Sequence, residues 1–313
     1  MSLVTWNVSG REPTPAQQGE IDSLLPSAAV DVLAFGLQEV DRRPEAYVSA
    51  VKTREANWNR VFQEALQARE GWCYVRVSSQ IMVGVLVSVW VREGLLEHVS
   101  QVSSTFASCG IMGVVGNKGG VAVRFKLFDD YVCIVNCHLA AHEDQVLRRN
   151  QDFSDLHDRL RFSSVEGREG AVLNRHEHLL DPLLFLRQSS VLDCDVLLWM
   201  GDFNYRVEMD NDLVRAYVVH GQYHPVLERD QLNQQKERHA LWSRYAEPGI
   251  AFAPSYRYNI GTDEFDSSEK QRVPSWCDRI IWRRGDAVGA DAYNYGAKTV
   301  GSILINRMTV AGE

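Results

Sequence analysis

Short apolar runs recur along the chain, and several end on a single polar residue. "SLVTWNV" (2–8), "VDVLAFGLQEV" (30–40), "WCYVRV" (72–77), "IMVGVLVSVWV" (81–91), "GVAVRFKLF" (120–128), "YVCIVNCHLA" (131–140), "DVLLWMGDFN" (195–204) and "SWCDRIIW" (275–282) are rich in β-branched and aromatic residues and read as strands. Only Asp129-Asp130 separates 120–128 from 131–140, which predicts a tight antiparallel hairpin. Polar helical patterns lie between the runs. At 143–161, Val146, Phe153, Leu156 and Leu160 fall on one stripe, and stretches at about 210–220 and 230–242 have the same mixed character. Strands apolar on both faces with helices outside them imply layered α/β packing. The polar stretch 163–176 reads as a surface loop. No repeat or Pro-rich linker divides the chain, so one compact domain is expected.

Composition narrows the partners. The apolar share, 45% of 313 residues, supports a real core. No stretch is long and apolar enough to cross a membrane as a helix, and "MSLVTWNVSG" lacks the basic and then hydrophobic sections of a signal peptide, so a soluble intracellular protein is expected. A net charge of -8 argues against general nucleic-acid binding, and an anionic ligand would need a local basic cluster. The six cysteines include no C-x-x-C pair, which disfavours zinc and a disulfide framework.

Candidate chemistry gathers at the strand ends: Asn7, Glu39, His138, Asp202, Asn204 and Asp278. Rigid backbone at such ends can aim side chains into one cleft. Singly, each has a plainer role, as a turn Asn, a solvated Glu or a core His. Together they fit metal-assisted phosphate hydrolysis. Glu39 with an amide oxygen and waters makes the sparse oxygen shell that Mg²⁺ prefers; Asp202 is the candidate base, and His and Asn donors stabilise developing charge. His138 and His142 are four apart but follow a strand, and His176 and His178 read as a solvated pair, so neither makes a zinc site. No nucleophile elbow appears.

Two further stretches offer donors for an anion. "GIMGVVGNKGG" (110–120) is no Walker A loop, since Gly follows Lys118, but its glycines let backbone N–H groups approach an anion while Asn117 and Lys118 add donors. As a plain turn it would leave Ile111 and Met112 exposed without a reason. Tyr256, Arg257, Lys270 and Arg272 lie among Asp263, Glu264, Asp266 and Glu269, where a solvated hairpin is the plain alternative. Arg272, however, directly precedes "VPSWCDRI" and so lies close to Asp278.

With these residues assembled, the chain closely resembles the inositol polyphosphate 5-phosphatases of the endonuclease/exonuclease/phosphatase superfamily. "WMGDFNYR" (199–206) and "RVPSWCDRI" (272–280) match the family's two signatures, and "TWNV", "LQEV", "GNKGGVAVRF" and "NCHLAAH" follow in the expected order. "GIMG", "RRNQDF" and "SSEKQRVPSWCDR" point to the type II group, that of the Lowe-syndrome phosphatase. The resemblance implies a catalytic domain over 1–284 with an atypical tail at 285–313. It implies an α/β (α+β) DNase I-like fold, a four-layer sandwich of two packed mixed β-sheets flanked by helices, with Mg²⁺ dependence and removal of the 5-phosphate from phosphoinositides such as phosphatidylinositol 4,5-bisphosphate and from soluble inositol phosphates. By motif position, Glu39 and Asn7 would hold the metal and His138 would contact the scissile phosphate. Asp202 would be the base, and Asn204 would orient phosphate and water. Asn117 and Lys118 would reach the 1-phosphate, and Tyr256, Arg257, Lys270 and Arg272 the 4-phosphate. Ile111 and Met112 would dip toward lipid chains. A monomer that is cytoplasmic and peripherally attached to membranes, without nucleic acid, is expected.

The family ends with a strand preceded by Ser-Asp-His, whose His is oriented by the Asp matching Asp278. Here no histidine follows His239, and "YNYGAKTVGSILINRMTVAGE" does not match that ending. Loss of the motif implies impaired turnover, and loss of its strand would expose an edge in the core sheet. The alternatives are an inositide-binding isoform without turnover and, disfavoured by the acidic balance, a DNase-like nuclease.

Overall fold

The computed structural model describes residues 1–14, 16–41, 48–110, 117–163, 188–259, 262–283, 292–300 and 303–310. In chain order the strands are β1 (Ser2–Asn7), β2 (Val32–Gln38), β3 (Tyr74–Met82), β4 (Val85–Arg92), β5 (Val99–Ser108), β6 (Gly119–Leu127), β7 (Asp130–His138), β8 (Arg161–Ser163), β9 (Gln188–Ser190), β10 (Val196–Asp202), β11 (Tyr245–Ala246), β12 (Asp278–Arg283), β13 (Ala292–Val300) and β14 (Ile303–Val310). The helices are α1 (Ala16–Leu24), α2 (Val48–Gln67), α3 (Val146–Arg159), α4 (Asn211–Val219), α5 (His224–Leu227) and α6 (Gln231–Arg238).

Two six-stranded sheets form the centre, ordered β13-β14-β1-β2-β4-β3 and β11-β12-β10-β7-β6-β5. Each is mixed, because β1 runs parallel to β2 and β10 parallel to β7 while their other neighbours are antiparallel. The expected fold class is therefore present. Period-two alternation explains the layering. On β7, Val132 and Ile134, with Leu198 of β10 beside them, face the other sheet and join Val32 and Ala34 there. Cys133, Val135 and Cys137 point the opposite way, toward Phe153 and Leu156 of α3. The outer face of the first sheet is covered by Ile21 of α1 and by Trp58, Val61, Phe62 and Ala65 of α2.

Several expectations shift in detail. The hairpin turn falls on Phe128-Asp129, with Phe128 at φ 55°, so Asp130 already belongs to β7. Helix α2 went unnoticed in the sequence although its buried spacing 58, 61, 62, 65 is helical. Strand β5 went unnoticed because it is a Ser-rich, largely exposed edge. The expected open edge beside β1 is not there: β14 pairs with β1 antiparallel, Ser2 opposite Thr309 and Thr5 opposite Asn306, and β13 extends the sheet beyond it. Backbone pairing asks only for extended residues in reach, so an ending unlike the family's can still close the sheet.

Between the sheets lies a buried polar crossing. Asn136 of β7 donates to the Leu37 and Leu86 carbonyls at 2.9 and 2.7 Å and accepts from Gln38 Nε2 at 2.6 Å. Asn136→Ala would strand these buried partners, and about 3 kcal/mol or more of stability should be lost in urea unfolding. On the outer face of the second sheet, His157 donates from Nδ1 to the Phe153 carbonyl at 2.7 Å and accepts from the Tyr245 hydroxyl. Burial lowers its pKa from 6.5 to about 4. The unfolded chain then binds a proton that the folded chain refuses. Stability is therefore full above pH 6.5 and declines as pH falls toward 4, by on the order of 3 kcal/mol. His157→Gln should flatten this slope in denaturation midpoints measured across that range.

Candidate active site

The inter-sheet faces change character along each strand, from apolar at one end to polar at the other. On β1 the sequence is Leu3, Thr5, Asn7; on β7 it is Ile134, Asn136, His138; on β10 it is Leu198, Met200, Asp202. The register places His138 opposite Asp202, and Asp202 opposite Asp278. Three polar side chains from three neighbouring strands thus form one row on one face. Gly201, at φ 144°, lets the parallel pair close up, since a Cβ there would lie 2.0 Å from the Cys137 carbonyl oxygen.

This row opens into a cavity of about 440 Å³, whose lining includes Asn7, Glu39, Lys118, His138, Asp202, Asn204, Arg206, Tyr256, Arg257 and Asp278. Asn7 spans the two sheets: its Nδ2 donates to Glu39 Oε1 at 3.3 Å and to Asp202 Oδ2 at 3.2 Å. His138 Nε2 lies 3.4 Å from Asp202 Oδ2 and also contacts Lys118 Nζ. Its Nδ1 is buried without a hydrogen-bond partner among the described residues. Asn204, at φ 58°, is fully engaged. Its N–H donates to Asp202 Oδ1 at 3.0 Å, its Nδ2 to the Leu139 carbonyl at 3.0 Å, and its Oδ1 accepts from Arg206 at 2.6 Å. It therefore braces the turn after β10 and passes its acceptor to Arg206.

The remaining sequence candidates divide. Asn117 is exposed and outside the cavity lining, whereas Lys118, its neighbour, lies inside it. Tyr256 and Arg257 line the cavity. Lys270 and Arg272 line a larger adjoining one, about 820 Å³, that shares Arg206 and Tyr256 with it. Arg272 is tied to Asp266 Oδ2 at 2.9 Å. Ile111 and Met112 lie outside the described residues. Arg206 was quoted within a signature but given no role. Its guanidinium stacks 3.9 Å over the Tyr256 ring, and a basic residue two places after a site Asn was the available signal.

Electrostatics separate the two central carboxylates. Burial would raise Asp202, but His138, Lys118 and Arg206 outweigh it and hold the group at about 2. Asp278 is pushed well above the usual range by burial and by the Asp202 charge beside it. One carboxylate is thus held ionised, while its neighbour holds a proton more tightly than an ordinary carboxyl. Burial lowers Lys118, while Asp202 and Glu39 oppose that shift. Among the described residues no three His, Cys, Asp or Glu side chains form a metal cage. Glu39 still fits a hard cation, and Asn7 would join it with its amide turned over, since here its Nδ2 faces the two carboxylates and its Oδ1 accepts from Ser9 N at 3.0 Å. The amide N–H held between two carboxylate oxygens marks a place that favours positive charge, and a sparse oxygen set matches an ion that keeps waters.

The sequence profile described as Endonuclease/Exonuclease/phosphatase family 2 matches residues 4–302, and the chain belongs to that family. Among curated relatives, it is 34% identical over 89% of its length to mouse type II inositol 1,4,5-trisphosphate 5-phosphatase. It is 31% identical over 90% to human phosphatidylinositol 4,5-bisphosphate 5-phosphatase A. It spans 26% of each of those proteins. Among solved structures, the inositol polyphosphate 5-phosphatase domain of SPsynaptojanin, in complex with inositol (1,4)-bisphosphate and calcium ion, superposes with a TM-score of 0.81 at 26% identity. That match covers 99% of this chain and 82% of the other.

Asp278→Asn copies the protonated state in shape and charge. Because the folded pKa of Asp278 is raised, the stability supplied by its protonated form is lost as pH rises, and the substitution should remove that decline. Thermal unfolding at neutral pH should give a midpoint no lower than the parent's, and a large drop would mean that Asp278 is ionised in the fold.

Proposed function

We propose that this chain is a phosphoinositide 5-phosphatase domain, which hydrolyses the 5-phosphate of phosphatidylinositol 4,5-bisphosphate and of soluble inositol polyphosphates with Mg²⁺. The observation that carries this reading is the row His138–Asp202–Asp278 facing Asn7 and Glu39 across one cavity, with Arg206, Tyr256 and Arg257 on its wall. An ionised acceptor among clustered cationic donors suits a phosphate dianion and an attacking water. The relatives' names and the bound inositol bisphosphate of SPsynaptojanin support the substrate class.

Glu39 and Asn7 would hold the metal, which when bound polarises a phosphoryl oxygen. The rest is done by protein groups. Asp202, held ionised, accepts a hydrogen bond from the water and takes its proton as the new O–P bond forms. The P–O bond to the inositol ring breaks, and the inositol oxygen takes up a proton from solvent. A carboxylate at about 2 is a weak base in the ground state, which a loose phosphoryl transition state tolerates. Asn204 works through Arg206, whose guanidinium faces the phosphates beside Tyr256. The domain acts as a monomer, cytoplasmic and peripherally at membranes, and does not need nucleic acid. Turnover is reduced because the stretch leading into β14, the strand that closes the sheet beside β1, carries no Ser-Asp-His. The same observation favours, as a second reading, a domain that binds inositides without turnover.

Purified chain with Mg²⁺ should release phosphate from a short-chain 4,5-bisphosphate lipid, about a hundred- to ten-thousand-fold more slowly than a relative carrying the Ser-Asp-His ending. Asp202→Asn should lower the rate about a hundredfold or more, and Glu39→Gln should raise the Mg²⁺ concentration needed. Tight lipid binding with no release would establish the second reading, and absence of both would sink the proposal.

A further inference from the structure

The six cysteines are free thiols and make no disulfide framework, but two of them meet. Cys133 and Cys194 are buried in the core that covers the outer face of the second sheet, and their thiols are hydrogen-bonded to each other. Strand order brings them together. Cys133 lies on β7, and Cys194 lies two residues before β10, which runs parallel to β7 with Val196 opposite Val132. Asp195 fastens the approach: its N–H donates to the Tyr131 carbonyl at 2.9 Å, and its Oδ2 accepts from the Tyr131 N–H at 2.8 Å. Two guanidinium groups flank the pair. Arg124, opposite Cys133 in register on β6, hydrogen-bonds to the Cys194 thiol and stacks 3.9 Å over the Tyr131 ring. Its buried Nε has no hydrogen-bond partner among the described residues, which leaves a donor that a thiolate can use. Arg283 donates to the Leu192 carbonyl at 2.6 Å and to that of Cys194. Burial pushes Cys109, Cys137 and Cys277 above the usual thiol range. Cys194 is instead drawn below it by the hydrogen bond from Cys133 and then, against burial, by Arg124, while burial and that same bond raise Cys133.

We propose that Cys133 and Cys194 are an oxidisable thiol pair, closed to an intramolecular disulfide by a hydroperoxide such as hydrogen peroxide. The pair is independent of the 5-phosphatase reading. Cys194 is the attacking sulfur and Cys133 the resolving one, because the guanidinium groups and the donated hydrogen bond favour negative charge on Cys194. The Cys194 thiolate attacks one peroxide oxygen and the O–O bond breaks. The other oxygen leaves as hydroxide and takes up the proton that the thiol gave up, so Cys194 becomes a sulfenic acid and one water departs. Cys133 then gives up its proton as its sulfur displaces the hydroxyl. The S–S bond forms, the S–O bond breaks, and a second water departs. The two thiols lose two electrons and the peroxide gains them. Asp193 and Asp195, on either side of Cys194, are exposed, so a water-sized oxidant has a short path to the sulfur. Cys194 stands outside β10, where the chain can close the remaining gap to an S–S bond. The bond straps together the beginnings of β7 and β10, whose far ends carry His138 and Asp202.

The test treats the folded full chain with hydrogen peroxide, alkylates the remaining thiols at intervals and maps unreduced peptides by mass spectrometry. A linked Cys133–Cys194 peptide should accumulate and disappear on treatment with dithiothreitol. The Cys133 and Cys194 thiols should be lost about tenfold or more faster than those of Cys109, Cys137 and Cys277. With dimedone present, Cys133→Ser should carry the label on Cys194, whereas Cys194→Ser should keep Cys133 as an unlabelled thiol. Absence of the linked peptide from the folded parent overturns the proposal, and so does its formation only after unfolding in urea. Equal rates of loss at all the buried cysteines, oxidation confined to the exposed Cys73, or dimedone on Cys133 in place of Cys194 overturn it as well. The parent alone decides the first of these outcomes, so a variant that fails to fold leaves the proposal falsifiable.

Discussion

The Asn136 side chain reaches out of β7 into the opposite sheet, and it gives the two sheets a fixed offset that apolar contact alone would not. Hydrophobic burial between them is strong but non-directional. The amide instead bonds two specific carbonyls, Leu37 and Leu86, and one specific side chain, Gln38. Room for it exists because residue 36 is glycine: a Cβ there would lie 2.8 Å from Asn136 Cγ. Gln38 directly precedes Glu39, and Asn136 lies two residues before His138 on the same strand face. Fixing this crossing therefore fixes how far Glu39 lies from His138.

Above that crossing the site is organised by charge. Asp202, Asp278 and Glu39 face one cavity, and three ionised carboxylates so placed would repel strongly. Lys118 and Arg206 answer part of that charge, and burial beside Asp202 pushes Asp278 toward its neutral form. Asp278 lies opposite Asp202 in register, so holding its proton more tightly limits the negative charge at that point of the row.

Buried arginines hold the surrounding loops. Arg149, fully buried, donates to the Ala140 and His142 carbonyls and to Gln231 Oε1, which pins the loop after His138 onto α6. Arg279, the residue after Asp278, bridges Asp230 at 2.9 Å and Glu247, whose carboxyl is held at about 2 against burial by Arg279 and Lys236. Such paired interior charges add little net stability, but removing one partner is costly, so they specify where these loops sit.

The strand runs and three helices could be read directly from the periodicity, and the polar residues at strand ends from their abrupt change in character. The faint elements were α2, whose helical spacing was present but overlooked, and β5, whose edge position removes the alternation that burial imposes. The paired signatures made Asp202 and Asp278 identifiable, yet nothing local distinguished Lys118 from Asn117 or gave Arg206 a role. The sequence alone also misjudged the edge beside β1, because β14 satisfies it through backbone groups that every residue carries. What the sequence determined was which side chains share a strand face, since alternation is a property of the chain itself. What the tertiary structure decided was which strand ends meet. Asn7 and Asp202 are 195 positions apart and hydrogen-bonded, and that proximity comes from sheet packing, which no local pattern encodes.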